Sequence, residues 1–331
     1  MRLGFFTALA TVLLLPGVVS AQSLDGSLGN TDPFTISVSP QYPSPGGQAT
    51  LSLLSSTLDL TNATMTVLVG GKQLYQGSVQ PIAIPLGNTG SVASVEVKVA
   101  SAGNQYTQSL VLQPEDVSLV AEPISSAPAL YPGKPLVPIE GNVRVVAVAS
   151  FKDAGGKTLD PATLSYAWTV DGTQIAASSG IGKEAVIVAS PLQYRARSVS
   201  VAVQSQEGSL VGGASLSLSA EAPSVRIYAN DPLLGILYDH ALSDTYAITG
   251  TEADLYAAPF SLPLTNGAPL LSWFLNGAPA QTGNSITLRP SGSGQGNASL
   301  SLTASAGNTA EATADLSLSF GTAQSTNFFG L

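Results

Sequence analysis

The chain contains no cysteine, and that absence excludes a disulfide framework, a thiolate metal site, a thiol nucleophile and a lipid anchor on an N-terminal cysteine. It has one histidine, His240, so any mechanism needing two imidazoles is excluded as well. Charge is scarce: Asp, Glu, Lys and Arg make up 10% of the residues, against roughly 25% in ordinary soluble proteins. What charge there is leans acidic, with 21 Asp and Glu against 12 Lys and Arg. A nucleic-acid-binding surface needs a basic stripe, and none is present, so no nucleic-acid partner is expected. Helical periodicity is missing beyond the N-terminus, and apolar runs such as Val143 to Val148 are short and bounded by polar or turn residues, so no membrane-spanning segment is expected in the mature chain.

The exception to the last statement is the N-terminus. Arg2 supplies a positive charge, Leu3 to Leu15 is apolar apart from two threonines, Pro16-Gly17 breaks the run, and Val19-Ser20-Ala21 is a small-residue cleavage motif before Gln22. Interrupted at Pro16, the stretch is shorter than the roughly 20 residues a spanning helix needs. It reads as a cleaved signal peptide over residues 1–21. The chain is therefore expected to be secreted across the inner membrane to a periplasmic, cell-surface or extracellular location, and export without cysteine suits a bacterial source.

Period-two alternation dominates the rest. Leu164, Tyr166, Trp168 and Val170 share one strand face, as do Val199, Val201 and Val203, Val95, Val97 and Val99, and Leu316, Leu318 and Phe320. The opposite faces are small and polar, the pattern of an antiparallel sheet with one wet side. With Gly 33 and Pro 22 punctuating the chain into short strands, it reads as all-β.

The pattern also repeats. An alternating strand, a tight Gly turn, a second strand, a proline and a further alternating strand follow Val67, Trp168 and Trp273, anchors 101 and 105 residues apart, the length of one sandwich domain each. Asp171-Gly172 and Asn276-Gly277 are hairpin dipeptides that accept positive φ at both central positions. Ala-Ser-Ala-Gly-Asn occurs at 100–104 and again at 304–308, a shared hairpin turn whose flanking alternation differs in phase by one residue. These features predict three tandem immunoglobulin-like β-sandwich domains after the signal peptide: a leader over 22–33, domains at 34–112, 116–220 and 224–320, and a tail over 321–331. Linkers of a few residues predict a semi-rigid array.

The Trp168 and Trp273 strands resemble the third strand of immunoglobulin-like sandwiches, where a tryptophan fills the core between the sheets. Tyr166 to Gly172 is similar to the corresponding strand and turn of bacterial polycystic-kidney-disease-type (PKD) repeats, without their Trp-Asp-Phe-Gly-Asp-Gly motif. Tyr42-Pro43-Ser44-Pro45-Gly46 and Asn230-Asp231-Pro232-Leu233-Leu234-Gly235-Ile236 resemble turns of exported surface proteins of candidate-phylum bacteria. The resemblance implies an envelope or surface role, and its motifs are turns that carry no chemistry.

Chemistry-bearing residues gather in one place, Tyr228 to Phe260, which holds Tyr228, Asp231, Tyr238, Asp239, His240, Asp244, Tyr246, Glu252, Asp254, Tyr256 and Phe260. Tyr228, Asp231, Tyr238, Asp239, His240 and Tyr246 are the candidate ligand residues, an aromatic platform with carboxylates suited to a sugar ring or a calcium ion. Set against this, tyrosine is a favoured strand residue and the carboxylates solvate loops. No Gly-x-Ser-x-Gly elbow accompanies His240, so no catalytic residue is expected. The Gly-rich Ser291 to Gly296 lies between strands with no helix to supply a phosphate cradle. Asn62-Ala63-Thr64 and Asn297-Ala298-Ser299 match the glycosylation pattern, and Asn327 to Leu331 could act as a docking motif or pack on the third domain. Trp168 and Trp273 are assigned to the core. The reading is a non-enzymatic exported structural or adhesive protein of the bacterial envelope, a semi-rigid spacer or interaction module with an envelope protein or a polysaccharide as partner and no cofactor; the alternative is a secreted carbohydrate-binding module using the third-domain tyrosines.

Overall fold

The computed structural model describes residues 33–129, 131–153, 155–291 and 295–321. The expected signal peptide, nearly all of the leader and of the tail, and the centre of the Gly-rich loop lie outside the described residues. The chain divides into two compact units, one formed by the residues up to Glu115 with Lys152–Lys157, the other by Asp116–Phe151 and the residues from Thr158 on.

The first unit holds one sandwich. Its strands are β1 (Thr35–Ser39), β2 (Gln48–Leu54), β3 (Thr64–Val69), β4 (Lys72–Ser78), β5 (Ile82–Pro85), β6 (Ala93–Ser101) and β7 (Asn104–Leu112). They form a three-stranded sheet in the order β1-β2-β5 and a four-stranded sheet in the order β4-β3-β6-β7. Phe34, Leu51, Met65, Val67, Ile84, Val95 and Val97 fill the space between.

The second sandwich repeats that order with β8 (Asp116–Pro123), β9 (Asn142–Ser150), β10 (Ser165–Val170), β11 (Thr173–Gln174), β12 (Gly180–Ile181), β13 (Ala185–Ala189), β14 (Ala196–Gln204) and β15 (Val211–Ser219). Its sheets run β13-β9-β8 and β11-β10-β14-β15, with β12 also on β10. The third comprises β16 (Ser224–Asp231), β17 (Gly235–Ile236), β18 (Thr245–Ile248), β19 (Ala253–Phe260), β20 (Leu270–Leu275), β21 (Ala278–Thr282), β22 (Ser285–Leu288), β23 (Gly296–Ala306) and β24 (Ala310–Phe320). Here the first-strand region is split. β16 stays in the sheet β17-β16-β19-β22, and the chain then crosses so that β18 pairs in parallel with β24, Thr245 opposite Ser317 and Ile248 opposite Phe320. All three are antiparallel immunoglobulin-like sandwiches, and the third adds this one parallel pair.

The alternating faces read from the sequence are the buried ones. Leu164, Tyr166, Trp168 and Val170 point into the second core, and Leu300, Leu302, Leu316 and Leu318 into the third. Each tryptophan is sealed, Trp168 at 0% and Trp273 at 1% exposure. Burying an indole strands its N–H unless an acceptor is supplied. The Trp168 indole donates to the Lys183 carbonyl at 2.8 Å, and the Trp273 indole to the Gly283 carbonyl at 2.9 Å. In both cases the acceptor lies just before the strand that crosses to the opposite sheet.

The strand after each anchor turns back through a two-residue hairpin with both central φ angles positive: Gly70-Gly71 (57°, 77°), Asp171-Gly172 (48°, 80°) and Asn276-Gly277 (51°, 78°). The first residue of each turn donates its N–H to a serine carbonyl on the next strand of the sheet, to Ser94, Ser198 and Ser299 at 2.8, 2.9 and 2.8 Å. Asp171 and Asn276 add a side-chain oxygen that accepts the N–H of that same serine, Ser198 or Ser299, at 2.9 Å. Asx residues tolerate this left-handed conformation and offer the extra acceptor, whereas Gly70 only tolerates it. The two Ala-Ser-Ala-Gly-Asn segments are both hairpin turns with different loops. Ser101 pairs with Asn104 across two residues, whereas Ala306 pairs with Ala310 across three.

Trp168→Ala and Trp273→Ala are each expected to destabilise their own sandwich by about 3–5 kcal/mol, as large-to-small changes at sealed core positions. Denaturant unfolding followed by circular dichroism measures this, and an unchanged midpoint would contradict the burial. The Tyr166 phenol is pushed up to about 12, chiefly by burial and secondarily by the Glu184 and Asp160 carboxylates. The folded state thus keeps this proton where the unfolded chain, near pH 10, releases it. The stability Tyr166 supports is present below pH 10 and is lost as pH rises toward 12. Thermal melts of the parent against Tyr166→Phe over that window should show the difference.

Candidate functional site

The third-sandwich segment singled out in the sequence is organised by the split of its first strand. Along β16, Val225 and Ile227 face the core, so Tyr228 stands on the opposite, outer face; along β19, Leu255 and Ala257 face the core and Tyr256 stands outward. Tyr228 and Tyr256 are direct cross-strand partners. Beyond β17 the chain returns alongside β16, with the Leu237 and Leu242 N–H groups donating to the Ala229 and Ile227 carbonyls at 2.9 and 2.8 Å. That return brings Tyr238 onto the pair. Its ring meets Tyr228 edge-on at 5.2 Å and Tyr256 at 6.4 Å, with interplanar angles of 70° and 90°. The Tyr238 hydroxyl is buried without a hydrogen-bond partner among the described residues. Its pKa is raised, first by burial and then by the neighbouring Tyr256 and Tyr228 phenols.

The six candidate ligand residues do not converge on one open surface, which corrects the expected platform. Stacking a sugar requires a ring face open to water, but these rings are interlocked edge to face, and Tyr228 is only 5% exposed. Tyr246 is elsewhere, on β18 in the opposite sheet, against the core. The Asp231 carboxylate is committed to its own turn, where Oδ1 accepts the Leu233 and Leu234 N–H groups at 2.8 and 2.9 Å, and these bonds hold its pKa below the usual carboxylate value. Asp239 and His240 are exposed. Glu252 pairs with Arg289 at 2.9 Å, and Asp254 accepts from the Thr287 hydroxyl. Among the described residues no group of three or more His, Asp or Glu is placed to hold a metal ion. One open depression of about 680 Å³ lies on the second sandwich, lined by Ser165, Ile181 and the turn Gln204 to Gly208.

A different constellation is built where the second and third sandwiches meet inside the second unit. The loop between β8 and β9, residues 124–141, runs onto the third sandwich. The Ser126 N–H donates to the Leu262 carbonyl at 2.7 Å, the Ser261 N–H to the Ser126 carbonyl at 3.1 Å, and the Leu264 N–H to the Ile124 carbonyl at 3.1 Å. The Ser126 hydroxyl accepts the Leu262 N–H at 3.0 Å, and the Ser261 hydroxyl donates to the Glu221 carbonyl at 3.0 Å. Ser125, Ser126 and Ser261 are all buried. Nearby, Tyr131 meets Phe260 edge-on at 5.2 Å, and Ile139 packs against the third core.

At the end of this loop, the Glu140 carboxylate accepts the Asn308 N–H at 3.1 Å and the Thr309 hydroxyl, capping the β23–β24 turn. Gly307 permits the approach, since a Cβ there would stand 2.5 Å from Glu140 Oε2. The side-chain bond from Thr309 and the backbone bond from Asn308 pull the Glu140 pKa down. The sequence reading missed these residues because serine and glutamate between strands look like solvated loop. The available signal was length, as a connection from 124 to 141 exceeds an ordinary hairpin and such loops carry roles of their own.

No family model matches the chain, and no curated protein matches it. Among solved structures, the three N-terminal domains of the bacteriophage RB49 highly immunogenic outer capsid protein (Hoc) align at 13% identity over 87% of this chain and 98% of that one, with a TM-score of 0.24. The central fibronectin-III array of RIM-binding protein aligns at 10% identity over 87% and 97%, TM-score 0.27. Fibronectin(III)-like modules of Clostridium thermocellum CbhA align at 10% over 65% and 100%, TM-score 0.25. These are arrays of β-sandwich domains; the fold assignment itself stands on the strand order described above.

Since its folded-state pKa is depressed, Glu140 contributes stability above the unfolded carboxylate value, and that contribution fades as pH falls through the lower folded value. Glu140→Ala should therefore lower the melting temperature of the second and third sandwiches near neutral pH, and the gap from the parent should close in acid. A gap that stays constant with pH would show that the carboxylate is not the group at work.

Proposed function

We propose that this chain is a non-enzymatic, exported structural or adhesive protein of a bacterial envelope or cell surface, acting as a semi-rigid spacer or protein-interaction module. The observation that carries the reading is the bonded seam between the second and third sandwiches. A flexible linker leaves neighbouring domains free to reorient. Here the backbone bonds at Ser126, Ser261 and Leu264, with the Glu140 cap, oppose such motion. A protein that only displays separate binding modules has no need of that seam. Export is supported by the Arg2 to Ala21 signal pattern, and the weakly charged surface suits a partner met by shape and apolar contact rather than by charge. Among the described residues no helix is long and apolar enough to cross a membrane.

Fractionation of the source cells with protease shaving tests the location: recovery with the envelope and loss on shaving are expected, and a chain found free in the medium would defeat the spacer role. Stiffness is tested separately. Ser126→Pro removes a seam N–H and a hydroxyl acceptor together. Calorimetry should show the second and third sandwiches melting as one transition in the parent and as two in the variant. Two transitions in the parent would mean that the seam does not couple them.

A further inference from the structure

Among the described residues, the four most exposed large apolar side chains occur as pairs on two loops of the second unit. Leu233 and Leu234, 94% and 77% exposed, form the tip between β16 and β17; Leu192 and Tyr194, 67% and 93% exposed, lie between β13 and β14. Single apolar residues on a surface are ordinary, but paired ones held out by fixed backbone are not. Both loops are fixed. Asp231 Oδ1 accepts the N–H of both leucines, at 2.8 and 2.9 Å, which locks the tip. In the other loop the Arg195 N–H donates to the Leu192 carbonyl at 3.0 Å, closing a turn in which Tyr194 sits at φ 63°. A bulky residue rarely adopts that conformation, and here it projects the ring into water.

The loops are also of opposite charge. Asp231 stands at the tip turn and Asp239 on the return segment just past β17, and no Lys or Arg occurs between Arg226 and Arg289. The β13–β14 loop carries the exposed Arg195. We propose that the β16–β17 tip of one copy seats on the β13–β14 loop of a second copy, Leu233 and Leu234 against Leu192 and Tyr194, with Arg195 facing the Asp231 carboxylate at the tip. Tip-to-tip pairing would set like charges together, and a membrane surface would find no basic residue on the tip to hold it. The contact joins two different surfaces, so each copy keeps one free half and association runs on past the dimer, into rings or open chains according to the rotation between copies. Its small area makes it weak and dependent on concentration. It is independent of the spacer reading, because the seam lies within one copy.

Sedimentation velocity of the purified protein, from micromolar to near-millimolar, tests this, with circular dichroism melts to show that the surface variants fold. The parent should form species that grow with concentration. Leu233→Ser with Leu234→Ser should abolish growth, and so should Tyr194→Ser with Arg195→Glu. Mixed in equal amounts, the two double variants should form a dimer and nothing larger, since each retains the half that the other has lost. A parent that stays monomeric throughout overturns the proposal, as does a variant that still associates with itself or a mixture that forms no dimer. None of these outcomes bears on the seam.

Discussion

Each sandwich depends on the burial of one face of alternating strands between two sheets. With no cysteine anywhere, nothing covalent holds the sheets together. Leu164, Tyr166, Trp168 and Val170 on β10, with Val199, Val201 and Val203 on β14, therefore supply the cohesion of the second domain by burial alone. Because the side-chain period of a strand is two, a slip of one residue would turn this set outward and expose it to water. The Asp171-Gly172 and Asn276-Gly277 turns prevent that slip, their side-chain oxygens tying the turn to a serine of the neighbouring strand. Core and turn thus enforce one register together.

The buried tryptophans tie the sheets together a second way. A sealed indole needs an acceptor, and it finds one on the segment leading to the opposite sheet, Lys183 in one domain and Gly283 in the next. The bond is modest in net energy, but leaving the N–H unpaired would cost more than making the bond gains. The crossing segment is thereby held over the ring. The first sandwich has Val67 at this position, in a core that Phe34, Leu51 and Met65 also fill, and holds its sheets by packing without an indole bond.

The seam applies the same accounting between domains. Ser125, Ser126 and Ser261 are buried polar residues, tolerable only because their hydroxyl or backbone groups are paired. The Ser125 hydroxyl is satisfied within its own loop by the Leu136 carbonyl, whereas the Ser126 pairs with Leu262 and Ser261 run from one domain to the other, so separating the domains would expose or strand them. The tyrosine cluster shows the opposite outcome for polar atoms. Its rings bury one another on the outer face of β16 and β19 and leave the Tyr238 hydroxyl without a hydrogen-bond partner among the described residues. Aromatic residues gathered in sequence became a packed lid over a sheet instead of an open platform.

The all-β class, the tandem sandwiches, the hairpin turns and the core tryptophans were all legible in the sequence. Each depends on local rules: the two-residue period of a strand, the φ demanded of a tight turn, and the preference of an indole for the core. The rest depended on which surfaces meet in space. That Tyr228 and Tyr256 pair across strands while Tyr246 stays in the other sheet follows from the chain crossing between β16 and β18, and no local pattern marks that switch. The commitment of Asp231 to its own turn, and of Glu140 to a hairpin more than 160 residues further along the chain, likewise exists only once the backbone is folded. Periodicity records which face of a strand is buried, whereas the partner of a polar side chain is decided by long-range packing, and only the tertiary structure supplies that.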